Sequence, residues 1–141
     1  MVEQYKVGTA LVKTFSISGT TPNPAVSDIS SLYNEINYYE SIDSPAVTMT
    51  ASIVDSTDLK SSLPIVGGEG IVYDFSDSLQ ESISITGAMR LFKLANRVRI
   101  KKGTEGYDIF CTTNEMMFDQ YNTVQRKYGP KPTSDIVQDI F

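Results

Sequence analysis

The sequence predicts a mainly β protein, a small antiparallel β-barrel carrying one or two short helices. Three observations lead there. Residues 47–54 alternate cleanly, with Val47, Met49, Ala51 and Ile53 on one side and Thr48, Thr50 and Ser52 on the other. Six or seven strand-like segments separated by turn residues fill about 120 positions with no βαβ rhythm. The helical signals are short and fall mostly after the strands. From the residues alone, barrel and sandwich both fit this pattern.

Taken in order, Tyr5 to Ile17 reads as a long strand, with Val7, Leu11, Phe15 and Ile17 at odd positions. Gly19 to Pro24 contains two prolines, which donate no backbone hydrogen bond, and reads as an exposed loop. Asp28 to Ile42 fits a helical stripe or a strand face, and its asparagines and tyrosines favour the strand. After the strand Ala46–Val54, Asp55 or Ser56 is placed to cap a single helical turn through Leu59 to Leu63, which Pro64 ends. Gly67-Gly68-Glu69-Gly70 lacks the Gly-Lys-Ser/Thr ending of a phosphate loop and reads as a turn.

Three further strands are expected at Ile71–Phe75, Ser82–Thr86 and Ala88–Lys102, the last joined through Gly103–Gly106 to Tyr107–Cys111 as a hairpin. Thr112-Thr113-Asn114-Glu115 has the form of a capping box opening a short helix. Its apolar residues Met116, Met117, Phe118 and Tyr121 read as core, and Cys111 reads as a small buried hydrophobe. Thr133, Ser134 and Asp135 start a last helix with Ile136, Val137, Ile140 and Phe141 on one flank, which looks cut off mid-helix. The organisation expected is therefore a barrel domain over 1–132 and the start of a helix over 133–141.

Composition narrows the chemistry. At 141 residues one domain suffices, burying about 68–70% of the extended chain's surface. No run of about 18 apolar residues is present to span a membrane, and residues 1–6 carry no secretory signal. The sequence has one cysteine and no histidine, so Ser-His-Asp and Cys-His sites are excluded, along with imidazole or thiolate-cluster metal sites. Carboxylates such as Glu35, Glu40 and Asp74 show no catalytic spacing. No catalytic residue, cofactor or metal is expected. Charge is uneven: residues 1–86 hold three lysines and eleven acids, whereas 87–141 hold nine cations and six acids. Such asymmetry suits copies that meet through complementary faces, although a solvated surface carries the same pattern.

Three stretches, Tyr38-Tyr39-Glu40-Ser41-Ile42-Asp43-Ser44-Pro45, Ile53-Val54-Asp55 and Leu63-Pro64-Ile65-Val66-Gly67-Gly68-Glu69, resemble the N-terminal tube-like domain of baseplate hub proteins from contractile-tailed phages. The pair Phe92–Ile100 and Tyr107–Thr112, and the closing Tyr128-Gly129-Pro130 and Ser134–Val137, look like that family's continuation. Such hubs are similar in fold to tail-tube and type VI secretion tube proteins. The resemblance implies a virion structural protein of the tail baseplate, assembled in the host cytoplasm. It implies a homo-oligomeric ring, trimer or hexamer, between tail tube and central spike, with DNA as a partner only by passage through the channel and no membrane. Hubs of this type usually hold two tube-like domains, whereas one is present here, as in a fragment or a shortened relative.

In that picture Thr48, Thr50 and Ser52, or Ser82, Ser84 and Thr86, face the channel or a neighbouring subunit. Arg97, Arg99, Lys101 and Lys102, near one hairpin, then meet the next subunit's acidic surface or DNA. Each set also fits an ordinary solvated strand face. Two other functions remain open: a β-sandwich binding glycan or peptide, suggested by eight tyrosines, and an enzyme using paired carboxylates.

Overall fold

The computed structural model describes residues 10–20, 25–77, 84–121 and 125–140. They form seven strands and three short helices: β1 (Ala10–Ser18), β2 (Val26–Asp28), β3 (Tyr33–Tyr39), β4 (Thr48–Asp55), α1 (Leu59–Ser62), β5 (Gly70–Asp77), β6 (Ser84–Lys101), β7 (Thr104–Thr112), α2 (Asn114–Tyr121) and α3 (Thr133–Ile140). All strand pairs are antiparallel, in one sheet of order β2-β1-β5-β6-β7-β4-β3.

That order puts β2 and β3 at opposite edges of the sheet, yet only residues 29–32 join them. Laid flat, seven strands would hold their outermost members about 29 Å apart, while five steps of chain reach at most about 17 Å. The sheet must curl until its edges approach. The short link bonds to both sides: the Ile29 N–H donates to the Phe15 carbonyl of β1 at 2.8 Å, and the Leu32 carbonyl accepts from Val54 of β4 at 2.7 Å. The Asp28 carboxylate accepts from the Ser30 N–H and hydroxyl at 2.9 and 2.6 Å, which holds the turn and lowers the Asp28 pKa. Ile29 and Leu32 are buried and close the open side of the curl. The result is the small antiparallel barrel expected, as a curled half-barrel of one continuous sheet.

The core follows the alternation of β4. Met49, Ala51 and Ile53 are buried and stand in register with Cys111, Ile109 and Tyr107 of β7, all buried as well. Each large apolar side chain removed from water in this way contributes roughly 1.5–3 kcal/mol before entropic costs. Ile71, Met89, Leu91, Phe15 and Ile17 continue the core across β5, β6 and β1. Cys111 packs as a small hydrophobe, and burial pushes its thiol up to about 12.

Several segments differ from expectation. In β1 a bulge between Val12 and Thr14 breaks the odd-position rule, so Val12 packs on the core with Phe15 and Ile17; the predicted residues Tyr5–Thr9 and part of the Gly19–Pro24 loop lie outside the described residues. The strands expected at Ser82–Thr86 and Ala88–Lys102 are one, β6, because Gly87 serves as a crossing point and not as a break. Tyr73 lies over it, and a Cβ there would sit 2.6 Å from the Tyr73 hydroxyl and 2.9 Å from its ring. The hairpin turns at Lys102-Gly103, between paired Lys101 and Thr104, with Gly103 at φ 77°; Gly106 lies inside β7. The Thr112 hydroxyl donates to the Val47 carbonyl at 3.4 Å, an anchor to the start of β4 in place of the expected capping box.

Gly87→Ala is expected to destabilise the fold by about 1–3 kcal/mol through overpacking. In a Tyr73→Phe background, where the nearest atom is gone, the cost should shrink. Urea unfolding of the four variants in a double-mutant cycle reads that coupling, and an equal cost in both backgrounds would show that Tyr73 is not what the glycine accommodates.

Candidate assembly surface

The far end of the β6–β7 hairpin carries the four predicted cations, and the structure treats them unequally. Bulges between Ala95 and Val98, where Asn96 takes φ 53°, and between Arg99 and Lys101 interrupt simple alternation. Arg97 is committed within the chain: its Nε and Nη2 donate to the two oxygens of Glu105 at 2.9 and 3.0 Å. Lys60 of α1 reaches the same carboxylate and stands over the Tyr107 ring, 5.6 Å from its centre. Arg97 and then Lys60 pull the Glu105 carboxyl down to about 2. Arg99 lines a depression of about 340 Å³ with Asp55, Asp58, Lys60 and Glu105, while Lys101 and Lys102 are exposed.

Asp55 at the base of this region is buried and structural. Its carboxylate accepts from the Leu59 N–H at 3.0 Å and the Thr57 N–H at 2.9 Å, which caps α1 from four residues away, as the sequence indicates. Tyr107 donates to it at 3.4 Å, and burial first, then the Asp55 charge, raises the Tyr107 pKa.

On the opposite face of the hairpin, Val98 and Ile100 pack over Gly106, and Val54 stands in register with that glycine. These three side chains are 58%, 55% and 39% exposed, an apolar strip on the outside of the barrel. Sequence reasoning passed over it, although Val98 and Ile100 stand between the very cations it singled out.

Thr48, Thr50 and Ser52 lie on the non-core face of β4. Ser52 is used internally, its hydroxyl donating to Asp108 at 2.6 Å; Asn96 donates to the same carboxylate at 2.7 Å, and together they lower the Asp108 pKa. Thr50 is half-buried, in register with Asn37 and Phe110. Thr48 is exposed and borders a groove. The set therefore does not act as one uniform polar face. Of the alternative trio, Ser82 lies outside the described residues, and Ser84 and Thr86 are exposed on β6.

The groove, about 650 Å³, runs between α2, the outer face of β6 and the Gly67-Gly68 turn. Its walls are largely apolar, from Ala46, Val66, Phe92, Met116, Met117 and Tyr121. Here the expectation for the α2 cluster is corrected: no residue of α2 is buried, Met116 and Met117 are half-buried, and Phe118 and Tyr121 are 65% and 79% exposed. The barrel core is already filled by strand residues, which leaves the helix to lie on the outside. The opposite wall is rigid. Gly67 and Gly68 take φ values of 104° and 89°, and the fully buried Glu69 carboxylate accepts from the N–H groups of Val66 at 2.6 Å and Gly67 at 3.0 Å. The concavity that glycine-rich backbone offers to anions is filled by the chain's own carboxylate. Arg90 ties this wall to α2 by donating to the Gly68 carbonyl and to Asn114 Oδ1.

Among the described residues, no three His, Cys, Asp or Glu side chains come together where they would hold a metal ion, and no helix is long and apolar enough to cross a membrane. No family model matches the chain, and no curated protein matches it in sequence. Among solved structures it is similar to a chain of the Francisella PdpA–VgrG complex in its half-lidded form, with a TM-score of 0.58 and 13% identity. The match covers 96% of this chain and 22% of that one. At that identity the likeness is one of fold, and it extends over nearly the whole chain.

Because Glu105 has a lowered pKa in the folded protein, its ion pairs stabilise the fold above the unfolded carboxyl's ordinary value of 4.5 and are lost as pH falls toward about 2. Glu105→Gln should therefore flatten the stability–pH curve over that interval and leave its shape near neutrality unchanged. Urea midpoints between pH 2 and 7 provide the measurement, and an unaltered acid limb would refute the assignment.

Proposed function

We propose that this chain is a structural subunit of a contractile tail or secretion spike, a tube-like hub element that forms a ring between tail tube and central spike and encloses a channel. The observation that carries this reading is the fold: a single curled antiparallel sheet shared over 96% of the chain with a component of a complex that includes VgrG. Within that class we favour the baseplate hub of a contractile-tailed phage, on the Tyr38–Pro45, Leu63–Glu69 and Ser134–Val137 motifs. The working site is then the tail baseplate of the virion, after assembly in the host cytoplasm.

The surface supports an assembly role over catalysis. The carboxylates of Asp55, Glu69, Glu105 and Asp108 have protein partners that account for them structurally. The outward surface includes apolar areas: the Val54, Val98 and Ile100 strip and the α2 groove. Exposed apolar surface of this kind marks contact with other macromolecules. Arg99, Lys101 and Lys102 beside the strip would meet the acid-rich first half of a neighbour. DNA passes through such a ring without being gripped, since strong phosphate binding calls for a net basic groove with stacking aromatics and the chain carries a net charge of −5. No enzymatic activity is assigned.

Light scattering across a wide concentration range, at low and moderate salt, tests the reading. A trimer or hexamer that weakens with salt is the expected outcome. A monomer under all conditions that also fails to capture tube and spike proteins would exclude it.

A further inference from the structure

The helix α3 has an apolar flank that stays partly exposed. Ile136 is half-buried and Val137 is 49% exposed, and α3 packs closely on none of the described strands or helices. What fixes it is polar and local: Lys131 pairs with Asp139 at 3.6 Å, and Arg126 donates to the Asp139 carbonyl at 3.4 Å. An apolar flank on a helix this short gains its stability from a partner surface and not from propensity.

The groove beside α2 has the complementary properties. Its apolar walls at Phe92, Met116, Met117 and Tyr121 match an aliphatic flank, and an eight-residue helix is about 12 Å long, a size that a groove of about 650 Å³ accommodates along one side. The charges match as well. The helix carries Asp135 and Asp139 and no cation. Beside the groove, Arg90 donates to the carbonyl of Gly68, which lines it, and to Asn114, and the exposed Lys93 follows the lining residue Phe92, its ammonium 5.0 Å from the centre of the Phe110 ring. The lining itself carries no charged side chain, so these two cations and the α2 acids Glu115 and Asp119 all stand outside it.

We propose that α3 of one copy docks into the α2 groove of the next, with Ile136 and Val137 against Met117 and Phe92 and with Asp135 and Asp139 toward Arg90 and Lys93. The contact is heterologous, each copy giving a helix and offering a groove, so repetition closes a ring or runs on as a filament. This inference rests on the ring reading above and specifies its joint.

The test uses two full-length variants, Val137→Asp on the helix and Met117→Glu in the groove, with circular dichroism to establish that each stays folded. Val137 is a surface position, so its variant tests the contact even where Met117→Glu perturbs α2. Each variant alone should lose assembly, with the midpoint concentration raised at least tenfold. Mixed at equal concentration they should form a species of two chains and no larger, since one intact helix then meets one intact groove. If Val137→Asp assembles as the parent does, the helix–groove joint is refuted while the ring stands. If the parent never associates, both fail. Loss of assembly in each variant without recovery on mixing would also refute the joint.

Discussion

The barrel depends on the link from Asp28 to Tyr33, too short to cross a flat seven-stranded sheet and yet required to connect its two edges. Every other feature of the fold is compatible with an open sheet. The register of β4 on β7 and of β5 on β6 would be the same in a flat arrangement, and so would the alternation that buries Met49, Ala51 and Ile53. Curling gives these side chains a common interior, and Ile29 and Leu32 enter it from the link itself. The backbone groups of the link bond to β1 on one side and β4 on the other, so closure leaves few orphaned polar groups.

Once the interior is closed, three carboxylates in and beside it hold the connections. Asp55 caps α1 and accepts from Tyr107, Glu69 fills the glycine turn, and Glu105 gathers Lys60 and Arg97. These groups are structural in the fold. A small barrel has one inner face, and strand residues fill it together with Ile29, Leu32, Leu59 and Leu63 from the connections. Apolar residues left over, in α2, α3 and the Val98–Ile100 strip, are carried to the outside. Function in this molecule is therefore best sought in what the core could not accommodate.

How legible this was depended on whether neighbours in sequence are also neighbours in space. The strand β4 shows in the sequence because its period of two is a property of the chain alone, and Asp55 before Leu59 shows as a cap for the same reason. The sequence pattern divides β6 in two at Gly87, whereas the glycine accommodates the Tyr73 ring from another strand. Bulges in β1, β3 and β6 shift faces by one residue, and no local pattern marks them in advance. The cluster Met116–Tyr121 was read as core because apolar content measures the wish to be buried and not the space available.

The sequence by itself determined the class: antiparallel strands, short helices, one hydrophobic alternation strong enough to set a core, and no histidine-based or thiolate-cluster chemistry. Only the tertiary structure decided that Arg97 is tied to Glu105, that Ser52 is tied to Asp108, and that α2 and α3 present apolar surface outward. The physical reason is separation along the chain. Alternation and capping act over two to four residues, whereas charge pairing across strands and competition for core volume involve residues brought together only when the sheet closes.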